Sequence, residues 1–237
     1  MFWRCAIMPD KHISVIVPAH NEEKLLPEFA REVTSYLEKN LPNYELLIVE
    51  NGSTDKTLEI AKRFAQKNKR IKVYHLPKPS YGEAALRGFK EARGSYIIFF
   101  NVDFWDRRFI DLVKVDLLGY DVIAGSKNLP GSRDERPFSR RFISRGLNIF
   151  LKVFFGYPGT DTHGIKVFHQ RRLLPILKRC KTKTGIFDSE LLIRAQRKGL
   201  KILELPVEVV EKRPSRFGVR RILETPRDIW QLCQHLR

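Results

Sequence analysis

The feature of this sequence that most restricts its fold is a regular alternation of short apolar stretches and longer amphipathic stretches in residues 13–125. The apolar stretches are rich in Val, Ile and Leu, which is typical of β-strands. The longer stretches repeat apolar residues with helical spacing. The predicted strands are residues 13–19, 44–49, 71–76, 96–102 and 121–125, and the predicted helices are residues 22–40, 54–67 and 81–92. This order predicts βαβ units, and therefore an α/β fold with a mostly parallel sheet flanked by helices.

Residues 126–237 follow a less regular pattern. The predicted helices are residues 137–155, 187–198 and 219–236, the last with a break at Pro226, and the predicted strands are residues 165–169 and 201–212. There is no internal repeat and no low-complexity linker. The sequence therefore predicts one domain with two halves, residues 1–125 and 126–237, separated by a change in composition.

The change in composition is mainly one of charge. The chain carries a net charge of +17, of which residues 1–125 contribute +2 and residues 126–237 contribute +15. A basic half favours an anionic partner, such as nucleic acid, an acidic membrane surface or phosphate groups. No RNA-binding, zinc-finger or helix-turn-helix signature is present, so nucleic acid is the weakest of these alternatives.

The cysteines and the apolar stretches bear on where the protein works. Three scattered cysteines form neither a disulfide framework nor a zinc motif, which favours a reducing compartment. No apolar stretch approaches the ~18 residues that a membrane-spanning helix needs. We therefore expect a cytoplasmic protein that lies on the cytoplasmic face of a membrane, held by charge and aromatic side chains or by a separate membrane partner.

Polar residues that form turns follow each of the first four predicted strands. The four segments are residues 18–22 (PAHNE), 50–55 (ENGSTD), 78–83 (KPSYGE) and 101–103 (NVD). In parallel sheets ligands bind beyond the carboxyl ends of the strands, so the segments predict a shared binding site. Any one of them alone is readily explained as a turn and a helix cap. The glycine patterns of dinucleotide-binding and P-loop proteins are absent, which argues against both classes.

In this order the segments resemble glycosyltransferase family 2, whose pattern runs from P-A-x-N-E through [DE]-x-G-S-x-D to an Asp-x-Asp motif. The resemblance extends into the second half and covers roughly residues 13 to 221, with the dolichyl-phosphate glucosyl- and mannosyltransferases most similar. The matching segments there are residues 125–127 (GSK), Arg140 with Ser144 and Asn148, 161–166 (DTHGIK), 187–191 (FDSEL) and 204–207 (ELPV).

The resemblance implies a GT-A fold, a nucleotide-sugar donor, a divalent cation and an inverting transfer. The donor is UDP-glucose or GDP-mannose, and the motifs lean towards UDP-glucose. The nucleotide-sugar-binding residues that it implies are Pro18, Ala19, Glu22, Glu50, Gly52, Ser53, Asp55, Lys78, Gly82, Asn101, Val102 and Asp103. Asp103 and Asn101 would hold Mg²⁺ or Mn²⁺, although Asn101 replaces an Asp of the family motif and Trp105 stands where relatives often carry a Gln. His20 and His163 are interpreted as contact or orienting groups.

The family resemblance also implies an acceptor, dolichyl or another polyprenyl phosphate. A lipid monophosphate is already largely dianionic near neutral pH, because its second pKa is roughly 6, and it needs cations rather than a general base. We expect Lys127, Arg140 and Ser144 to bind this phosphate, since Arg140 and Ser144 share one face of the predicted helix. Arg213 and Arg220 are candidates for a basic lid over the diphosphate. Asp161 and Asp188 join Asp103 as candidate catalytic residues.

Several alternatives remain open from the sequence. An apolar stripe on the helix predicted for residues 137–155 fits core packing as well as an amphipathic helix at a membrane interface. A family 2 enzyme acting on a saccharide or protein hydroxyl would need a base, for which Asp188 is the main candidate. The loss of charge at Asn101 would also suit a relative without catalytic activity.

Overall fold

The computed structural model describes residues 12–209 and 219–236, apart from the side chains of Arg140 and of residues 219–225. The strands are β1 (Ile13–Ala19), β2 (Tyr44–Asn51), β3 (Ile71–Leu76), β4 (Tyr96–Phe99), β5 (Val122–Ser126), β6 (Arg133–Asp134), β7 (Lys166–His169), β8 (Ile202–Pro206) and β9 (Glu208–Val209). The α-helices are α1 (Leu26–Asn40), α2 (Thr57–Lys67), α3 (Tyr81–Glu91), α4 (Arg107–Asp111), α5 (Phe138–Phe155), α6 (Gln170–Leu177), α7 (Phe187–Arg197) and α8 (Val219–Leu236).

Seven strands form one sheet in the order β3-β2-β1-β4-β7-β5-β8. All neighbouring pairs are parallel except those of β7, which runs antiparallel to both β4 and β5. The predicted mostly parallel α/β sheet is therefore confirmed. The small strands β6 and β9 form a separate parallel pair. The large sheet takes strands from both proposed halves of the chain, and β5 itself crosses residue 125. The functional division into two halves stays a prediction.

The sheet has a buried apolar core on each face, because successive side chains of a strand point to opposite faces. On one face Val15 and Val17 of β1 pack with Phe29 and Val33 of α1. On the other face Ile16 packs in a cluster that includes α3 and α7. Helices therefore cover both faces, and the edge formed by the strand ends is left for a binding site.

Several element boundaries differ from the predictions. The strand predicted for residues 201–212 is divided into β8 and β9, which belong to different sheets. α1 begins at Leu26 rather than at residue 22, because Pro27 favours the first helical turn and the Glu22 carbonyl accepts the N–H groups of residues 25 and 26 in a preceding turn. β4 ends at Phe99, since Asn101 and Phe104 form an isolated bridge that closes a turn. α8 continues through Pro226 without the predicted break.

The helices of the second half bear on the membrane question. Of the described helices, none has the length and apolar character that crossing a bilayer requires. α5 instead has two different apolar faces. Its Leu151 is fully buried, whereas Phe138, Phe142, Ile149 and Val153 are 65–74% exposed. The predicted stripe is therefore divided between core packing and an exposed surface.

Candidate active site

A cleft of about 820 Å³ lies at the carboxyl edge of the sheet, next to the ends of β1, β2 and β4. The chain segments after these strands form one side of it, and the segment 183–185 and helix α8 form another. Its polar and charged lining residues include His20, Glu22, Asn51, Ser80, Tyr81, Asn101, Asp103, His163, Lys183, Thr184, Asp188, Arg227, Asp228 and Gln231. The four strand-end segments singled out in the sequence therefore meet at one site.

The loops after β1 and β2 are joined by hydrogen bonds behind the cleft wall. Asn21 has a φ of 54°, a left-handed conformation that Asn tolerates better than most residues. Its N–H donates to Ser53 Oγ at 3.0 Å, and its Oδ1 accepts the Thr54 N–H at 2.8 Å. Asp55 Oδ2 accepts the Glu23 N–H at 3.2 Å. Ser53 and Asp55 therefore shape the loops that carry the cleft, and the cleft lining itself includes neither.

Glu50 lies beneath the cleft rather than in its lining. Its side chain is 1% exposed, forms a hydrogen bond with His75 Nδ1 and accepts the Ser53 N–H at 2.5 Å. Gly52 follows with a φ of 61°, and a Cβ there would lie 2.7 Å from backbone atoms of Lys78 and Pro79. Both features make residues 50–53 a rigid support for the wall. The contact of Glu50 with a base or ribose stays a prediction.

The start of α3 is fastened to the segment that forms the opposite side of the cleft. Ser80 caps the helix and donates its hydroxyl to the Lys183 carbonyl at 2.9 Å, while its N–H donates to Asn51 Oδ1 at 2.6 Å. Gly82 donates its N–H to the same carbonyl at 2.8 Å. A Cβ at Gly82 would lie 2.6 Å from the backbone of Lys183. Gly82 is therefore required by close packing between two walls of the cleft.

The turn after β4 presents Asn101 and Asp103 to the cleft. Val102 between them is 4% exposed and packs in the core, so the two polar side chains alternate with an apolar anchor. Trp105 faces helix α1 instead, where its Nε1 donates to Glu32 at 3.1 Å and its ring packs on Tyr36. Among the described residues no group of three His, Cys, Asp or Glu side chains is arranged to hold a metal ion.

Asp161 forms a buried ion pair with Lys127. The two side chains are 3% and 8% exposed, and Asp161 Oδ2 lies 2.5 Å from Lys127 Nζ. Lys127 Nζ also donates to the His163 carbonyl at 2.6 Å, and the His163 N–H donates to Asp161 Oδ1 at 3.0 Å. Burial alone would raise the pKa of Asp161, but the charge and hydrogen bond of Lys127 outweigh it and hold the pKa below its ordinary value. Asp161 is therefore an ionised support of the site.

Asp188 lines the cleft and is held by two partners at one oxygen. Its Oδ2 lies 3.1 Å from Lys166 Nζ and accepts the Tyr81 hydroxyl at 3.0 Å. Lys166 is 1% exposed and also donates to the Gly164 carbonyl at 2.9 Å. Burial lowers the pKa of Lys166, and the Asp188 charge opposes that shift. The carboxylate is therefore fixed in orientation by residues of β7 and α3.

Hydrogen bonds hold the rings of both cleft histidines. His20 Nδ1 donates to the Asn51 carbonyl at 2.7 Å. His163 Nε2 donates to the Gly185 carbonyl at 2.9 Å, and its Nδ1 lies 3.1 Å from the Thr162 hydroxyl. Burial lowers the pKa of His163 and outweighs the charges of Asp188 and Asp161, which act in the opposite direction. His163 is therefore held neutral, with its ring fixed from both sides.

The predicted nucleotide-sugar-binding residues, taken together with the candidate catalytic residues Asp161 and Asp188, comprise those that line the cleft, those that support it and the exposed Lys78. The residues that line the cleft are Pro18, Glu22, Asn101, Asp103 and Asp188. The residues that support the loops or pack behind the cleft are Ala19, Glu50, Gly52, Ser53, Asp55, Gly82, Val102 and Asp161. Lys78 is exposed next to Gly52. The ligand contacts of all of these residues stay predictions.

Of the predicted acceptor-phosphate residues, the structure describes the side chains of Lys127 and Ser144. Lys127 is engaged with Asp161, and Ser144 lies half-buried on α5. The side chain of Arg140 lies outside the described residues, as do Arg213 and the side chain of Arg220. The acceptor group and the basic lid therefore stay predictions.

Several cleft residues were not predicted from the sequence. Lys183 and Thr184 belong to a segment without a motif, and Tyr81 has no role of its own within the predicted segment 78–83. Arg227, Asp228 and Gln231 lie on α8, far from any strand end in the sequence. Arg227 and Gln231 are four residues apart in a predicted helix, and this spacing indicates that the two side chains share one helical face.

Comparisons with known proteins show which sequences resemble this chain. A family model described as Glycosyl transferase family 2 matches residues 14–153. Glycosyltransferase AglD from Haloferax volcanii is 32% identical over 232 residues, 93% of this chain and 37% of that protein. A dolichyl-phosphate beta-glucosyltransferase from Trichomonas vaginalis is 26% identical over 245 residues, 97% of this chain and 75% of that protein. The chain thus spans little more than a third of AglD and three quarters of the second relative.

Solved structures share the fold. Glucosyl-3-phosphoglycerate synthase from Mycobacterium tuberculosis, in complex with Mn²⁺, UDP-glucose and phosphoglyceric acid, superposes with a TM-score of 0.65. The likeness covers 95% of this chain and 80% of that chain at 20% identity, and at that identity it concerns the fold alone. The GT-A type of α/β fold implied by the sequence is confirmed. The match of the family model to more than half of the sequence shows that this chain belongs to glycosyl transferase family 2.

Proposed function

We propose that this glycosyltransferase transfers a hexose, with inversion, from a nucleotide sugar to dolichyl or another polyprenyl phosphate on the cytoplasmic face of a membrane. UDP-glucose is the preferred donor in this proposal, and GDP-mannose is the runner-up. The relatives named dolichyl-phosphate beta-glucosyltransferases support the acceptor and the sugar, and the exposed apolar face of α5 supports a site close to lipid.

The donor side of the proposal rests on Asn101 and Asp103 at the end of β4. Their amide and carboxylate oxygens are the hard donors that Mg²⁺ and Mn²⁺ take in proteins. The described residues offer no third acidic or histidine side chain in the same group, so the remaining ligands would come from diphosphate oxygens and water. When bound, the cation supplies charge neutralisation on the leaving diphosphate.

The observation that supports a phosphate acceptor is the environment of Asp188, the candidate base, and of Asp161, a second candidate catalytic carboxylate. Asp161 is bound by Lys127 with a depressed pKa, and Asp188 Oδ2 already lies against Lys166 and the Tyr81 hydroxyl. Neither arrangement favours removal of a proton from an incoming hydroxyl. A phosphate acceptor needs no such step, because its oxygen is already anionic near neutral pH, with a second pKa of roughly 6.

The proposed reaction then needs few groups from the protein. A phosphate oxygen of the lipid attacks the anomeric carbon, and the bond from that carbon to the nucleoside diphosphate breaks. The diphosphate leaves with the bonding electrons, and no proton is transferred. Asp188, held by Lys166 and Tyr81, would orient hexose hydroxyls by accepting their hydrogen bonds.

The test is product formation by the full chain with UDP-glucose and with GDP-mannose, using a short-chain polyprenyl phosphate in vesicles, with Mn²⁺ or with a chelator. The expected result is a lipid-linked glucose that requires the metal. Transfer only to a saccharide or protein hydroxyl would replace the acceptor in this proposal. No transfer and no metal-dependent hydrolysis of either donor would indicate a relative without catalytic activity.

A further inference from the structure

The cleft has an excess of carboxylates for a site that binds phosphates. Among its described lining residues, Glu22, Asp103, Asp188 and Asp228 carry carboxylates, and only Lys183 and Arg227 carry cations. Lys183 is already paired with Glu83 on α3, with an Nζ–Oε1 distance of 2.7 Å. A diphosphate or a lipid phosphate is itself anionic and needs a cation to bind it. Among the described lining residues, Arg227 is the cation that remains for this role.

Arg227 has no ionic partner among the described side chains. It is exposed, it lines the cleft, and it lies four residues before Gln231, which lines the same wall. A guanidinium offers five N–H donors in a planar fork that matches phosphate oxygens. An exposed arginine at the mouth of an otherwise acidic cleft therefore has the chemistry of a phosphate-binding group.

The helix that carries Arg227 is firmly attached to the body of the protein. Leu232 and Leu236 of α8 are 0% and 6% exposed and pack in the same core cluster as α7. At the end of α8, Arg194 donates to the His235 carbonyl and Arg197 donates to the Leu236 carbonyl, each at 2.6 Å. These contacts lie within three turns of Arg227, so its place over the cleft is set by the fold.

The same part of α7 also contacts the opposite side of the cleft, the segment that carries Lys183. Arg194 Nε donates to Glu190 Oε1 at 2.7 Å, and Glu190 Oε2 accepts the Thr182 N–H at 2.7 Å, next to Lys183. Helix α7 therefore holds both α8 and the segment 181–185. The distance between the Arg227 wall and the Lys183 wall is fixed by one helix, which is the arrangement of a preformed site.

We propose that Arg227 is a substrate-binding residue whose guanidinium contacts phosphate oxygens in the cleft, so that α8 completes the active site. This inference rests on the proposed function, which by itself assigns no role to Arg227. The phosphate belongs either to the nucleoside diphosphate of the donor or to the lipid acceptor, and both present the same oxygens.

The experiment compares wild-type protein, Arg227→Ala and Arg227→Lys, with Lys198→Ala as a control that removes an exposed positive charge outside the cleft lining. Calorimetry measures the Kd of UDP and of uridine with Mn²⁺ present, and a transfer assay measures the KM of farnesyl phosphate. Circular dichroism checks that all variants fold, which is expected because both side chains are exposed.

If Arg227 holds the donor, Arg227→Ala weakens UDP binding by about tenfold or more, leaves uridine unchanged, and Arg227→Lys recovers part of the loss. If it holds the acceptor, the KM of farnesyl phosphate rises by a similar factor and the Kd of UDP does not change. Values for Arg227→Ala within twofold of the Lys198→Ala control in both assays would overturn the inference. If wild-type protein binds UDP through Arg227 but transfers no hexose to farnesyl phosphate, the inference stands and the proposed function fails.

Discussion

Asp103 is the residue on which the donor side of the site depends. It provides the carboxylate of the proposed metal pair, because the partner at the first motif position is the neutral Asn101. We expect Asp103→Asn to reduce transfer by about 100-fold or more, since a metal ion contributes several kcal/mol to stabilising the leaving charge. Calorimetry should show that Mn²⁺ no longer strengthens UDP binding.

The matched control for Asp103 is Glu59→Gln, which neutralises an exposed carboxylate on α2. Its transfer rate and metal response should equal those of wild-type protein. Metal-dependent UDP binding in Asp103→Asn equal to that of the control would contradict the assignment of Asp103 as a ligand.

The buried pair of Lys127 and Asp161 makes a prediction about stability. Replacing Lys127 by Met leaves Asp161 buried without its cation, and we expect the free energy of unfolding to fall by about 3–5 kcal/mol. Lys178→Met, at an exposed position, should stay within about 0.5 kcal/mol of wild-type protein. Urea unfolding followed by circular dichroism measures both, and equal midpoints for the two variants would show that the pair is not structural.

His163 gives a pH dependence whose sign follows from its lowered pKa. Below about pH 6.5 the unfolded chain binds a proton at this histidine while the folded chain resists doing so, so stability is lost as the pH falls. The loss stops once the pH is below the folded pKa. We expect His163→Gln to show a smaller decrease in Tm between pH 7 and pH 5 than wild-type protein. Parallel Tm profiles would exclude this role for His163.

The residues also show where sequence reasoning reaches its limit. Asp55 and Glu50 are predicted to contact the nucleotide, and in the structure both also accept backbone hydrogen bonds that hold the loops after β1 and β2. A polar residue at a strand end binds either a ligand or its own backbone, and the pattern of residue types is the same for both. Similarly, nothing in the sequence around Lys127 indicates that its charge is paired with Asp161.

At the scale of elements, α5 carries the membrane prediction. Phe138, Phe142, Ile149 and Val153 are spaced along one exposed face, and the basic side chains of Arg145 and Lys152 are also exposed. We expect such a face to lie in the headgroup region of anionic lipid. We expect Phe142→Glu with Val153→Glu to reduce sedimentation with anionic vesicles by about tenfold or more without lowering Tm.

The control for α5 is Leu174→Glu on α6, where an exposed apolar side chain outside α5 is changed to a carboxylate. Vesicle binding should be unaffected by that change. If both proteins sediment to the same extent as wild-type protein, α5 is not the surface that meets lipid.

Element positions were largely predictable, but element ends were not. The period-two and helical patterns identify the strands and helices of the first half because burial on two faces imposes those periods. The end of β4 at Phe99 depends on a turn closed by Asn101 and Phe104, which local pattern does not reveal. The antiparallel direction of β7 depends on chain topology rather than on the residues of the strand.

At the scale of the whole molecule, the charge distribution predicts how binding responds to salt. Residues 126–237 carry +15 of the net +17. Attraction to anionic vesicles should therefore weaken as salt rises from about 0.05 M to 0.5 M, since the Debye length falls from above 10 Å to below 5 Å. A remaining, salt-insensitive part should come from α5 and disappear in the Phe142→Glu, Val153→Glu protein. Vesicle binding that does not change with salt would contradict the electrostatic part of the account.

The arrangement of elements in the whole molecule explains why only some walls of the cleft could be predicted from the sequence. The walls built by the first four strands follow from strand ends that meet at one edge of the sheet. The wall built by α8 depends on contacts between α7 and residues some forty positions later, such as Arg194 with the His235 carbonyl. Contacts of that kind leave no periodic trace in the sequence.

The central claim is that the acceptor is a phosphate whose oxygen is already ionised. The most direct measurement compares two acceptors of the same chain length, a polyprenyl phosphate and the corresponding polyprenol, in vesicles with labelled UDP-glucose and Mn²⁺. The account predicts labelled glycolipid from the phosphate and none from the alcohol. Transfer to the alcohol at an equal or higher rate would show that a protein carboxylate acts as a base, and would contradict the account.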